Sequence, residues 1–489
     1  MKRLAFIKQN RIPILLAFTS VLFYFSFAYD LERTDSIKLL TLYATLFFLF
    51  YKLVRLLKHN LTLLTWLAIG LRAIFILAIP NLSQDFYRFI WDGRLILEGI
   101  NPYLYTPEWF ISKGEFPITQ VQELYNGMGT LNGSHFTNYP PLNQLFFVVA
   151  GLFAGQSILG SIVVMRLLII AADFGTLYFG KKLLLKLDLP VYHIFWYMLN
   201  PFIIIELTGN LHFEGVMIFF LIWSMYLLHI GKWQWSAVVL ALSISVKLIP
   251  LLFLPVFYVW FRKQNVIVIS NIRKKQSVQK DEIAIFRQGS IQTEQTLRND
   301  INKMSRLLGF YGIVTIILLI LFLPFYSSEL IVHFTKTTAL WFTSFEFNAS
   351  IYYIIRAIGY WFVDFNIITY YGWFIAFLIP LVILYIIYKR QHKSKTKDLI
   401  ITMLFVLSLY YFTATTVHPW YIATLLILSI FTRYKFVLVW SFVVMLSYVA
   451  YTHTNYTENL WLVALEYILV YGVFIWEVLI QKPTQKELA

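Results

Sequence analysis

The 489-residue chain contains no cysteine, which excludes disulfides and thiolate-held metals. Charge is also scarce. Asp, Glu, Lys and Arg make up 13% of the residues, against roughly 25% in an ordinary soluble domain. With 59% hydrophobic residues and a mean hydropathy of +0.68, the composition implies an all-α polytopic membrane protein. The apolar runs lack the polar alternation of a transmembrane barrel. They are continuous, and several reach the ~18 or more residues that a helix needs to cross a bilayer. The chain shows no fixed-period repeat and no pair of related halves.

A net charge of +15 would by itself suggest nucleic acid. The basic residues sit instead in short loops at the ends of apolar runs, as the positive-inside rule describes, so the expected surroundings are membrane lipids and not nucleic acid. Arg3, Lys8 and Arg11 precede an apolar run ending Ser26-Phe27-Ala28, a pattern shared with signal peptides. We favour an uncleaved first span over about 12–29, with both termini cytoplasmic.

Spans follow over about 37–57 and 61–80, and residues 81–140 then form a long outer segment. Its six acids outnumber its three Lys and Arg, the reverse of the inner loops. Leu142 to Ala154 is short enough to read as a re-entrant or tilted piece. A span over about 158–180 follows. Four shorter pieces between Pro190 and Trp260 are interrupted at Asn210–Glu214, Gly231–Trp233 and Lys247–Pro250, as happens where backbone lines a cavity. Residues 262–306 read as a hydrophilic cytoplasmic insert, and 327–364 as a second outer segment. Further spans near 308–326, 366–389, 397–416, 420–432, 434–452 and 459–480 bring the expected total to 12–14 helices in one transmembrane domain.

Chemistry concentrates in the outer segments. With Ser83 as a cap, Asp85, Arg88 and Asp92 share one helix face. One reading makes this a capped interfacial helix with an Arg88–Asp92 pair. The other makes Asp85 a general base at the water–lipid boundary. A single carboxylate suffices where a sugar leaves from phosphate, because phosphate departs as a stable anion and needs cations or donors, not a proton. Glycoside hydrolases, whose leaving alkoxide must be protonated, generally use two.

The string Gln84-Asp85-Phe86-Tyr87-Arg88-Phe89-Ile90-Trp91-Asp92-Gly93-Arg94, followed by Gly99-Ile100-Asn101-Pro102-Tyr103, resembles the first outer loop of bacterial GT-C glycosyltransferases. The nearest likeness is to polyprenyl-phosphate-mannose-dependent mannosyltransferases. It continues through Tyr139-Pro140-Pro141-Leu142, Leu199-Asn200-Pro201, Gly209-Asn210-Leu211-His212, Ser245-Val246-Lys247-Leu248-Ile249-Pro250 and His418-Pro419-Trp420-Tyr421. The resemblance implies a donor on a polyprenyl phosphate, inversion at the anomeric carbon and a site at the outer face of a bacterial inner membrane. It carries the loop acid onto Asp85. Many GT-C members have two adjacent acids where this chain has Gln84-Asp85, so no cofactor is expected and a divalent metal is in doubt.

Arg88, Lys247, Arg356 and His418 are candidates for holding the donor phosphate. Lys247 is an intramembrane charge, with an ion pair to Glu206 as its structural alternative. Arg356 either clamps phosphate or snorkels to the interface. His418, just before a helix start at Pro419, either donates to phosphate or joins Trp420 and Tyr421 in an aromatic belt. Asp92, Arg94, Tyr139, Asn210, His212, Glu214, Asn348, Trp420 and Tyr421 are candidate contacts to sugar or acceptor, a glycan, lipid or protein. A lipid-glycan flippase and an oligosaccharide ligase or polymerase are the competing accounts. Flippases generally show internal repeats and lack long outer loops.

Overall fold

The computed structural model describes residues 11–263, 303–390, 395–452 and 457–481. The core of the hydrophilic insert (264–302), the basic N-terminal residues to Asn10 and the Lys482–Lys486 tail lie outside them. Local signals set the first helices. Asp35 caps α2 (Ser36–Leu57) by accepting the Lys38 N–H at 3.0 Å, closing the turn after α1 (Arg11–Tyr29). Asn60 caps α3 (Leu61–Ala73) in the same way through the Leu63 N–H.

The third apolar run was expected to stay helical to Pro80, and α3 instead ends at Ala73. Composition gives no reason for a stop there. The reason is Arg166, buried midway along α8 (Ile158–Lys186), whose guanidinium donates to the carbonyls of Ile76 and Ala78 at 3.0 and 2.6 Å. Between these helices run α4 (Asp85–Leu97), α5 (Pro107–Lys113), α6 (Val121–Gly133) and α7 (Pro141–Ala154). The short α7 packs against both α4 and α8. Gly93 makes the close α4–α7 approach possible, since a Cβ there would lie 2.4 Å from the Phe147 carbonyl oxygen.

The interrupted region is a broken helix. α9 (Pro201–Gly209) finishes in a π-helical turn, Ile204–Gly209, and α10 (Glu214–His229) leaves at 114° to it. Leu211 takes a left-handed φ of 62° in the break. The same Arg166 donates to the carbonyls of Thr208 and Gly209, both at 2.8 Å. One side chain thus satisfies the loose ends of two interrupted helices. A second buried charge crosses nearby: Arg72 of α3 meets Asp173 of α8 at 2.6 Å, both fully buried.

The chain continues through α11 (Trp233–Val246), α12 (Ile249–Phe261), α13 (Lys303–Phe325), α14 (Ser328–Thr343), α15 (Ile351–Gly359), α16 (Ile368–Lys389), α17 (Thr396–Thr413), α18 (Pro419–Ser429), α19 (Phe436–Tyr451) and α20 (Leu460–Ile480). Among the described residues no strand forms, and a lone parallel bridge joins Phe347 to Thr416. The protein is therefore an all-α polytopic membrane protein. Among the described residues, seven helices (α1, α2, α8, α13, α16, α17 and α20) are each long and apolar enough to cross a membrane, and α9 with α10 makes one bent pair. The remaining expected crossings fall on shorter apolar helices such as α3, α11, α18 and α19, and the piece read as re-entrant or tilted is the short apolar helix α7. The second loop segment is itself mostly helical, supplying α14 and α15.

The turns that the charge pattern put on one side gather at one end of the bundle. Asn81 donates to the Leu31 carbonyl, the Leu82 N–H to Asn210, Asn101 to the Phe325 carbonyl, and His333 Nδ1 lies 3.0 Å from the Tyr103 carbonyl.

Candidate active site

Asp85 is the first residue of α4, where a carboxylate is favoured by the helix dipole. Its N–H donates to Ser83 Oγ at 3.3 Å, while the capping position itself is Gln84. Asn132 donates to Asp85 Oδ1 at 3.3 Å from the end of α6. The carboxyl is half-buried. Burial raises its pKa, and the charge of Lys247, the Asn132 hydrogen bond and the charge of Arg33 oppose the rise. A half-buried carboxyl with a raised pKa suits a general base.

Gln84 has turned away from this carboxyl. Its Nε2 donates to the Met128 carbonyl at 2.9 Å, tying α4 to α6. The position where many GT-C enzymes carry a second acid thus serves the loop's own structure. Among the described residues, no three His, Asp or Glu side chains cluster as metal ligands.

Lys247 lies at the break between α11 and α12, in extended backbone. Its partner is Glu214 and not Glu206, at 3.1 Å, with the lysine side chain 21% exposed and the glutamate 4%. The sharp turn between α9 and α10 accounts for the exchange. It brings the first residue of α10 to Lys247, while Glu206 stays in the π-turn and accepts from Tyr448 at 2.9 Å. The ammonium also sits 5.2 Å above the Tyr139 ring. Asn210 joins the break to the loop by accepting the Leu82 N–H at 3.1 Å.

Next to Lys247 is a stack of rings. His212 lies on Trp420 with centroids 3.8 Å apart, His418 lies on Trp420 at 4.6 Å, and Phe347 lies on His418 at 5.2 Å. Two imidazoles cannot share one indole face at those separations, so both faces of Trp420 are covered. Phe347 is held in place by its backbone, which accepts from Val417 at 2.8 Å and donates to Thr415 at 3.0 Å. Burial, with Lys247 and Arg33 adding positive potential, lowers the His418 pKa to about 3, so its ring is neutral. Tyr421 packs edge-on against His418 at 5.5 Å.

The other sequence candidates sit in the scaffold. Arg88 pairs with Asp92 at 2.8 Å and donates to the Asn132 and His135 carbonyls, while Asp92 also accepts from Gln144. Arg94 is buried and binds the Thr119 and Gln156 carbonyls. Arg356 pairs with Glu346 and lies over Tyr353. Asn348, at a left-handed φ of 48°, donates its side chain to the buried Glu466 and its N–H to Glu458. The site therefore gathers Asp85, Tyr139, Lys247, Glu214, Asn210, His212, His418, Trp420 and Tyr421. Arg88, Asp92, Arg94, Arg356 and Asn348 hold the loops that frame it.

Sequence reasoning missed Arg33, Arg166 and the Arg72–Asp173 pair. The last three stand out as charges inside apolar runs, a sign of function or of buried structure. Arg33 gave no signal, being one charge among several in a short turn.

Residues 26–263 match the family model described as alpha-(1->6)-mannopyranosyltransferase, N-terminal domain, of the MptA_B family. No curated protein matches the chain. The matched stretch contains Arg33, Asp85, Arg166, His212, Glu214 and Lys247, and ends before the His418–Trp420 side of the ring stack. It supports the GT-C mannosyltransferase resemblance carried by the motifs. Residues 26–263 are thus similar to a mannosyltransferase domain, and the protein is a glycosyltransferase built from membrane helices.

Proposed function

We propose that the protein transfers one mannose, with inversion, from a polyprenyl phosphate to a hydroxyl of a glycan, lipid or protein acceptor at the outer face of a bacterial inner membrane. The observation that carries this reading is the single half-buried carboxyl of Asp85, set where Lys247 and Arg33 exert positive potential. Asp85 takes the proton of the acceptor hydroxyl. The acceptor oxygen bonds to the anomeric carbon as the bond from that carbon to the phosphate oxygen breaks. The electron pair leaves with the polyprenyl phosphate, whose charge the nearby cations stabilise, and Asp85 returns its proton to water. The reaction needs no divalent metal in this reading, because Gln84 replaces the second acid and is committed to Met128.

The test is transfer by purified protein from radiolabelled polyprenyl-phosphate-mannose to a crude lipid and glycan extract. Label should enter a new product with a single added sugar, with wild type and not with Asp85→Asn, and EDTA should change little. Label crossing a proteoliposome bilayer without a new bond would replace the enzyme reading with the flippase. Transfer of a whole oligosaccharide block would point to a ligase. Loss of activity in EDTA that manganese or magnesium restores would refute the metal-free mechanism.

A further inference from the structure

Most cations at this end of the bundle already have a carboxylate. Lys38 pairs with Asp30, Arg88 with Asp92, Lys247 with Glu214 and Arg356 with Glu346. Arg94 is buried and spent on carbonyls. A phosphate arriving at Lys247 must compete with Glu214, so that ammonium offers only part of its charge. Arg33, in the turn between α1 and α2, makes no ion pair among the described residues. Its guanidinium lies 3.3 Å over the Tyr451 ring at the end of α19, and its Nε is shielded from solvent with no hydrogen-bond partner. Stacking on an aromatic face fixes the guanidinium plane and leaves donors along its edge. Tyr451 contacts Phe347 at 5.9 Å, and Phe347 stacks on His418, so Arg33 borders the ring stack on the side away from His212.

We infer that Arg33 holds the phosphate of the lipid-linked donor, and of the polyprenyl phosphate product, as the main positive charge of the site, with Lys247 secondary. The inference rests on the proposed donor class. It gives the first turn of the chain a place in the site and explains why Tyr451 is positioned under a guanidinium. Once bound, phosphate would complete a charge-assisted, bidentate contact that no carboxylate of the described protein supplies.

The test compares a short-chain polyprenyl monophosphate with the matching polyprenol, each titrated into purified full-length protein in nanodiscs. Arg33→Gln should weaken monophosphate binding by about tenfold or more, the scale of a lost charged hydrogen bond, and leave polyprenol binding unchanged. Arg33→Lys should fall between the two. Wild-type monophosphate affinity in Arg33→Gln would overturn the inference, as would equal losses for both ligands, which would mark a structural role. If Arg33→Gln does not fold, Arg33→Lys carries the same comparison, and equal losses there would likewise overturn it. Wild type that binds polyprenol and monophosphate equally well would refute the donor class itself, a result distinct from a selective failure at Arg33.

Discussion

Replacing Arg166 by Met removes four hydrogen bonds to buried carbonyls, those of Ile76, Ala78, Thr208 and Gly209. Each carbonyl left unpaired in an apolar interior costs about 1–3 kcal/mol. Side-chain bonds between membrane helices average lower, about 0.6 kcal/mol. The total therefore lies between about 2 and 12 kcal/mol, a large share of an overall stability of roughly 5–15 kcal/mol. For 489 residues, an unfolding entropy of about 2.1 cal/mol/K per residue makes each kcal/mol worth about one degree. Thermal unfolding in detergent, followed by size-exclusion with intrinsic fluorescence, should show a drop of about 2 to 12 degrees. Arg166→Lys has three donors for four acceptors and should lose less. The reasoning goes further than stability: both helix interruptions border the site, so Arg166→Met protein that remains folded should also lose transfer activity. A melting point within a degree of wild type, with activity retained, would refute the claim that one side chain holds both breaks.

Asp85→Asn keeps the shape of the side chain and should lower transfer by roughly 10²–10⁴-fold, the usual worth of a general base; turnover within a few-fold of wild type would falsify the base assignment. The raised pKa of Asp85 sets the acid side of the pH–rate profile. The base works as the anion, so activity is lost as pH falls through a pKa above the ordinary value of about 3.9. Lys247 lowers that pKa, so Lys247→Met should shift the acid limb to higher pH, and an unmoved limb in a variant with measurable turnover would count against their proximity. Gly93→Ala would place a Cβ 2.4 Å from the Phe147 carbonyl oxygen, pushing α4 from α7; a melting point and rate equal to wild type would show that the two helices have room to spare.

What could be read from the sequence was chiefly polar residues in apolar surroundings. The Asp85 string, the break at 210–214 and Lys247 all stood out for that reason, and the structure brings them together. Partner choice was harder to read. Arg88 and Asp92 are four residues apart on one helix, and their pairing was legible as an alternative to a phosphate role. For Lys247 the sequence offers Glu206 only as a structural alternative to a phosphate role, and a 114° bend decides that Glu214 is the acid that reaches it. The early end of α3 was hidden altogether, because residues 74–80 are as apolar as the helix before them. Their departure from the helix depends on an arginine about ninety residues later in the chain. Arg356 shows the same limit: its charge was visible, while Glu346, ten residues earlier, gave no sign of being its partner.

The two imidazoles on Trp420 have a consequence for how carbohydrate is recognised. An exposed indole face is a broad platform on which the C–H side of a pyranose rests with little regard for the positions of its hydroxyls. Here both faces are taken, so Trp420 can present only its rim. A sugar placed beside it, as the proposed reaction requires, would be met by edges: the indole N–H, the rims of the histidine rings and Tyr421. Those groups respond to which hydroxyls are axial and which are equatorial. A site built this way gives up the adhesion of a platform for stereochemical selectivity, which suits an enzyme that must tell one hexose from another.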